Sequence, residues 1–219
     1  MIKAIIFDGD GVIFDSEDIH KKAWEMVFRK RGFNLSLLEE KESVGIADKE
    51  FISRLKEEGM IPPYLSTETL LEEKISQILR LVPEIKLFPG AKEALMKLSN
   101  KYLLGLATNS SRRYVEKLIS HFYLSPFFSV IVTGEDVARP KPYPDMYLLA
   151  FRKLKVNPRE CVVIEDSPSG VRAGIDAGAW CIGITHIFSP SFLKDAHALL
   201  PSISAEGIER AISSFSTLP

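Results

Sequence analysis

The chain has 219 residues, enough to bury a sizeable core as one large domain or one and a half. Its 28 basic and 29 acidic residues leave a net charge of −1, without the basic footprint that nucleic acid or an anionic membrane calls for. No apolar run approaches the roughly 20 residues of a membrane span, and the N-terminus lacks a signal-peptide pattern, so a cytoplasmic location is expected.

The first element is AIIF, apolar enough to be a buried strand, and it runs into FDGDGVIFDSE, where Asp8 and Asp10 cluster. Like charges at a strand end repel, and burial penalises each of them, so the pair needs a compensating partner. From about Ser16 to Pro83 every pattern is helical. HKKAWEMVFRKRG places Ala23, Trp24, Val27 and Phe28 on one stripe closed by Gly32. Ser36 and Glu39 have capping-box spacing. Asp48 is expected to cap KEFISRLKEEG, ending at Gly59, and Thr67 to cap TLLEEKISQILRLV, which stops before Pro83. The chain returns near LFPGAKEALMKLSN, where Pro89 suits the first turn of a helix.

From about Tyr102, YLLGLA, FSVIVT, CVVIE and CIGIT alternate with amphipathic segments. Continuous Val/Ile/Leu runs indicate strands covered on both faces, as in a parallel α/β sheet, and AIIF belongs with them. The predicted fold is α/β: a Rossmann-like, doubly wound parallel core from residues 1–15 and 86–219, with a helical cap of residues 16–85 inserted after the first strand. Cys161 and Cys181 each open a strand. Adjacent parallel strands would leave them either bonded or, as expected of a cytoplasmic chain, as two buried thiols; without CxxC spacing or companion histidines a zinc site is not expected.

Polar clusters follow several of the strands directly. Asp8 and Asp10 follow AIIF, Thr108 to Ser111 follow LLGLA, Lys141 follows VIVT and a short loop, and Glu165 and Asp166 follow VVI. Each has a plain reading alone: a helix cap at Thr108–Ser111, a solvated lysine, a helix start at Asp166-Ser167-Pro168 closed by Gly178. Together they fall along one edge of a parallel sheet, where ligands bind. Clustered carboxylates without a His or Cys group favour magnesium, and a divalent ion offsets their repulsion. A calcium loop does not fit, because Val12, Ile13 and Ile19 occupy its liganding and turn positions. Lys141 and the free N–H groups of TNSSRR supply donors for a phosphate, and the set resembles a phosphoryl-transfer site.

FDGDGVIFDSE, LATNSS, RPKPYPD and VVIEDSPSGVRAGIDAGA resemble, in order and spacing, the four motifs of the haloacid dehalogenase superfamily. The insertion after the first motif is similar to its helical-cap class, in the branch of β-phosphoglucomutase, phosphoglycolate phosphatase and small sugar phosphatases. The resemblance implies Asp8 as the nucleophile that forms an aspartyl-phosphate and Asp10 as general acid and base. It implies Mg2+ on the Asp8 and Asp166 side chains and the Asp10 backbone carbonyl, with Glu165 in support. Thr108, with Gly9, Asn109 and Ser110, would bind the phosphate, and Lys141 would balance its charge. His20, near Ser16 at the hinge, would position Asp10. Dehalogenating members lack the second aspartate, so Asp10 points to phosphoryl transfer.

Three departures matter. Gly9 replaces a usually bulky residue, leaving a more flexible backbone. In the cap loop VGIADKE, Asp48 stands three residues after Gly45, where mutases carry a phosphate-gripping arginine, and Lys49 is adjacent. Leu71 falls where the mutase has a cap lysine, with Lys74 a turn later. The expected function is therefore a magnesium-dependent phosphatase of a small phosphomonoester, a sugar phosphate or phosphoglycolate. A β-phosphoglucomutase is the alternative, and a non-catalytic receiver-like phospho-switch a remote one. The expected partner is a small phosphorylated metabolite, bound by a monomer or small homo-oligomer.

Overall fold

The computed structural model describes residues 1–33 and 47–215; Gly45 and the expected Ser36–Glu39 capping box lie outside them. The chain opens with β1 (Ala4–Phe7), β2 (Phe14–Asp15), α1 (Glu17–Arg29), α2 (Asp48–Glu57) and α3 (Thr67–Leu81). It continues through β3 (Lys86–Leu87), α4 (Ala91–Leu98), β4 (Leu103–Ala107), α5 (Arg112–His121) and β5 (Val130–Val132). It closes with α6 (Asp145–Leu154), β6 (Cys161–Glu165), α7 (Pro168–Asp176), β7 (Trp180–Ile184), β8 (Ala198–Leu200) and α8 (Ala205–Phe215).

A six-stranded parallel sheet has the order β5-β4-β1-β6-β7-β8. β1 lies between β4 and β6, with Ala4 opposite Leu103 on one side and Cys161 on the other. Later strands add first outward through β4 and β5, then on the far side from β6 onward. The order therefore reverses at β1, where crevices form at the C-terminal ends of strands. Pleating sends Ile5 and Phe7 into one core, with α4, α5 and α8, and Ala4 and Ile6 into the other, with α6 and α7. This is why the strands read as unbroken apolar runs.

The helical insertion has its own core, in which Trp24, Val27 and Phe28 of α1 meet Phe51, Ile52 and Leu55 of α2 and Leu70 of α3. Fully burying each such side chain contributes about 1.5–3 kcal/mol. The predicted α1 stripe is the buried one, and Gly32 (φ +76°) ends it. The chain leaves and re-enters through a short antiparallel pair, Phe14 with Leu87 and Asp15 with Lys86.

Several expected caps move by a residue or two. Ala47, not Asp48, caps α2, because the Asp48 carboxylate is engaged by Lys74. Ser66, not Thr67, caps α3 and accepts from the Thr69 N–H. Pro89 precedes α4, whose cap is Gly90 at φ +84°. β2, β3 and the edge strand β8 are too short to show as periodic patterns. Cys161 and Cys181 are buried free thiols. Cys181 pairs with Val163, so the two are offset by two residues along neighbouring strands. Among the described residues no helix is long and apolar enough to cross a membrane.

Candidate active site

β1 carries Asp8 out of the sheet, with the Asp8 N–H donating to Ile164 O at 2.9 Å. The chain then turns tightly: Gly9 O accepts from the Ile13 and Phe14 N–H groups, and Gly11 N–H donates to Phe14 O. Gly11 has φ +80°, and a Cβ there would lie 2.1 Å from Asp166 Oδ2. A glycine is required on both counts. Gly9 has no such need; its added Cβ would meet Thr108, Phe14 and Leu106 at 3.5–3.7 Å, ordinary contact.

Lys141 is the hub. Its ammonium lies 2.6 Å from Glu165 Oε1, 2.9 Å from Ala107 O and 2.9 Å from Asp8 Oδ1. The last contact is an ion pair off the line of a hydrogen bond, so Asp8 Oδ1 accepts none. The backbone of Lys141 is fixed by Asn109, whose Oδ1 accepts the Lys141 N–H while its Nδ2 donates to Lys141 O. Gly134 makes room for this loop, since a Cβ there would lie 2.5 Å from Asn109 O. Thr108 is buried, and its hydroxyl accepts the Ser110 N–H at 3.2 Å.

Glu165 is completely buried. Its Oε1 accepts from Lys141 and from the Tyr147 hydroxyl; its Oε2 accepts from the Asp166 N–H and the Ser167 hydroxyl. Gly170 in the first turn of α7 leaves the space, for a Cβ there would fall 2.0 Å from the carboxylate. Carboxylate oxygens of Asp8, Glu165 and Asp166 lie within 4.8 Å of one another. Burial and then repulsion from Glu165, against the pull of Lys141, push the Asp8 carboxyl up to about 7. Burial and the charges of Asp8 and Glu165 push Asp166 well above the carboxylate range. Three acids face one lysine, which leaves the cluster under-compensated. Hard oxygen donors with surplus negative charge fit a divalent cation of the magnesium type.

Asp10 faces a different set. Its Oδ1 accepts from Ser16 Oγ at 2.5 Å and Tyr114 OH at 3.1 Å, with His20 Nε2 3.3 Å away; its Oδ2 accepts from Ser110 Oγ at 2.7 Å. Burial would raise this carboxyl, but His20 and the hydroxyl donors outweigh it and hold Asp10 well below its ordinary value. Two carboxyls two residues apart thus sit in opposite electrostatic settings, Asp8 beside two other buried acids and Asp10 among donors.

Beyond His20 the insertion supplies a charged chain. Lys74 Nζ lies 2.8 Å from His20 Nδ1 and donates to both Asp48 oxygens at 2.8 and 3.0 Å, while Trp24 Nε1 donates to Asp48 Oδ1. One cavity is lined by Asp8, Asp10, Thr108, Asn109, Ser110 and Lys141 from the sheet side and by Glu17, His20, Trp24, Asp48, Phe51 and Lys74 from the helices. Asp166 also lines it, whereas Glu165 and Gly9 are buried outside the lining and Lys49 is exposed outside it. Tyr114 and Tyr147 went unread as polar partners, because each sits in a buried helical stripe that reads as core. Glu17 reads in the sequence as an ordinary first-turn acid.

The family model for haloacid dehalogenase-like hydrolases matches residues 5–184. The chain belongs to that family. It is 34% identical over 203 residues to a phosphorylated carbohydrates phosphatase of Thermotoga maritima, covering 91% of this chain and 90% of that one. It is 30% identical over 213 residues to validoxylamine A 7′-phosphate phosphatase of Streptomyces hygroscopicus subsp. limoneus, covering 93% and 95%. Among solved structures, β-phosphoglucomutase from Clostridium difficile aligns with a TM-score of 0.87 at 28% identity, covering both chains completely. The two phosphatase relatives each match more than nine-tenths of this haloacid dehalogenase-like enzyme, and the solved structure aligns with its parallel core and inserted helices together.

Proposed function

We propose that this family member is a magnesium-dependent phosphatase of small phosphomonoesters, with a core of residues 1–15 and 86–219 and a cap of residues 16–85. The observation that carries the reading is the split between Asp8 and Asp10. Among the described residues Asp8 has Lys141 as its one side-chain partner, leaving carboxylate lone pairs directed at the cavity, while Asp10 is held in a separate set of donors. Asp8 attacks phosphorus, a P–O bond forms to its carboxylate, and the bond to the ester oxygen breaks; Asp10 delivers the proton to the departing oxygen. In the second half Asp10 takes a proton from the water that attacks the aspartyl-phosphate, releasing phosphate and the Asp8 carboxylate. Lys141 offsets charge on the phosphoryl oxygens, and the Thr108 hydroxyl with the Asn109 backbone N–H binds them, while the Ser110 N–H holds the Thr108 hydroxyl in place. Asp8, Asp166 and the Asp10 carbonyl would hold the ion, with Glu165 beneath, and the bound ion supplies charge neutralisation at the phosphoryl group.

The low proton affinity of Asp10 suits its role as base; its role as acid needs His20 or a hydroxyl donor to release it. The names of the two phosphatase relatives support hydrolysis of carbohydrate-like monophosphates. The test is phosphate release from a panel of sugar phosphates and phosphoglycolate with Mg2+, compared with the same panel in chelator. Release from none of them would overturn the reading. Similarity to a β-phosphoglucomutase favours a second one, isomerisation through the same intermediate. Against it stands Asp48, which already occupies Lys74 and leaves the described cap wall without a free cation for a second phosphate. Conversion of β-glucose 1-phosphate to glucose 6-phosphate faster than phosphate release would favour the mutase.

A further inference from the structure

Among the charged groups of the described cavity wall, the Glu17 and Asp166 carboxylates have no hydrogen-bond or ion-pair partner; Asp166 belongs to the acidic cluster with Asp8 and Glu165, whereas Glu17 stands apart from it on the helical side. It opens α1, beside Asp18, in the first turn where acids favour the helix dipole. Asp18 meets that need in solvent. Glu17 instead faces the cavity partly buried, and burial, with the nearby Asp10, raises its proton affinity against the pull of His20 and Lys74. A carboxylate kept half-desolvated and unpaired is unfavourable unless something else donates to it.

Its surroundings define that donor. The other acid of the cap wall, Asp48, is matched by Lys74, so Glu17 remains as the open acceptor. Trp24 and Phe51 line the same wall and pack against each other with ring centroids 5.5 Å apart. An open anionic acceptor beside aromatic surface suits a molecule with hydroxyl groups on one edge and C–H faces on the other. It repels a ligand carboxylate, since like charges brought together away from water are unfavourable.

We propose that Glu17 reads the unphosphorylated end of the substrate by accepting hydrogen bonds from its hydroxyl groups, so that the site takes polyhydroxylated phosphomonoesters and rejects carboxylated ones such as phosphoglycolate. This rests on the phosphatase reading above and narrows it. Glu17 touches the substrate's carbon skeleton and no reacting atom, so its effect lies in discrimination.

The experiment compares kcat/KM for aldose, ketose and alditol monophosphates, phosphoglycolate and p-nitrophenyl phosphate in the native chain, Glu17→Gln and Glu17→Ala. In the native chain the best polyol phosphate exceeds phosphoglycolate by about tenfold or more, the scale of one hydrogen bond to a charged acceptor. Glu17→Ala lowers the ratio of polyol phosphate to p-nitrophenyl phosphate about tenfold, chiefly through KM. Glu17→Gln, which keeps the shape and an acceptor oxygen, retains most of that ratio and narrows the gap to phosphoglycolate. A preference for phosphoglycolate, or unchanged ratios in both variants, would overturn the inference. The same esters are titrated by calorimetry into Asp8→Asn and into Asp8→Asn/Glu17→Ala. Polyol phosphate binding that weakens about tenfold in the double variant supports the role of Glu17 even where no ester is hydrolysed, an outcome that removes the hydrolase reading alone. Equal binding by both overturns it.

Discussion

Lys141 and Glu165 meet at 2.6 Å, Nζ to Oε1, with side-chain exposures of 3% and 0%. Such a pair is not by itself evidence of stability, because desolvating two ions offsets much of their attraction. Removing one partner is different, for it strands the other. Glu165→Gln or Lys141→Met is expected to lose about 3–5 kcal/mol of unfolding free energy in urea. The double variant is expected to lose clearly less than the sum; simple additivity would mean that the two groups are not coupled.

The acidic cluster predicts a metal-linked stability. Mg2+ is expected to raise the melting temperature of the native chain, because an ion that binds only the folded state stabilises it by mass action. That shift is expected to shrink strongly in Asp166→Ala, with a fall in phosphate release. Asp8→Asn is expected to abolish hydrolysis of an aryl phosphate while the circular dichroism spectrum stays native. An unchanged magnesium titration in Asp166→Ala would show that the ligand set is different.

The two glycines of the first motif separate cleanly. Gly9→Ala meets only ordinary contacts and is expected to stabilise by up to about 0.4–1 kcal/mol, through a less flexible unfolded chain. Gly11→Ala combines a positive φ with a 2.1 Å approach to Asp166. It is expected to destabilise by more than about 1 kcal/mol and to weaken magnesium binding as Asp166 is displaced. Denaturant midpoints and metal titrations of both variants test the contrast.

His197 gives a pH dependence away from the site. Its Nδ1 accepts the Cys181 N–H at 3.0 Å, and burial lowers its proton affinity below that of an ordinary histidine. The unfolded chain therefore binds the proton more readily, and stability rises with pH across this group. Its contribution is complete above about pH 6.5 and is lost as the pH falls through the lower folded value. His197→Asn, whose Oδ1 can take the place of Nδ1, is expected to lose less of its melting temperature between pH 7.5 and 5 than the native chain. Parallel curves would exclude His197 as the source.

Much of the core and the site's composition was legible in the sequence, because parallel strands announce themselves as apolar runs and their ends as polar clusters. Asp8, Asp10, Thr108, Asn109, Ser110, Lys141 and Asp166 line one cavity with His20. The helix starts were less legible. Ala47 and Ser66 displaced Asp48 and Thr67 because a side chain free to cap is also free to pair elsewhere, and Asp48 pairs with Lys74 across 26 positions. Tyr114 and Tyr147 were hidden for a related reason: one hydroxyl on an otherwise apolar ring does not alter a buried helical stripe, yet it completes a carboxylate's hydrogen bonds. β8 joins the sheet edge without a period long enough to detect.

Asn109 and Lys141 face each other as two amides do in a strand pair, each giving and receiving one hydrogen bond. The lysine is thus aimed from its main chain, by a neutral partner 32 positions away, rather than by the acids that its ammonium touches. The loop after β4 and the loop that carries Lys141 are tied at one point, and a substitution at Asn109 is expected to displace Lys141 as well.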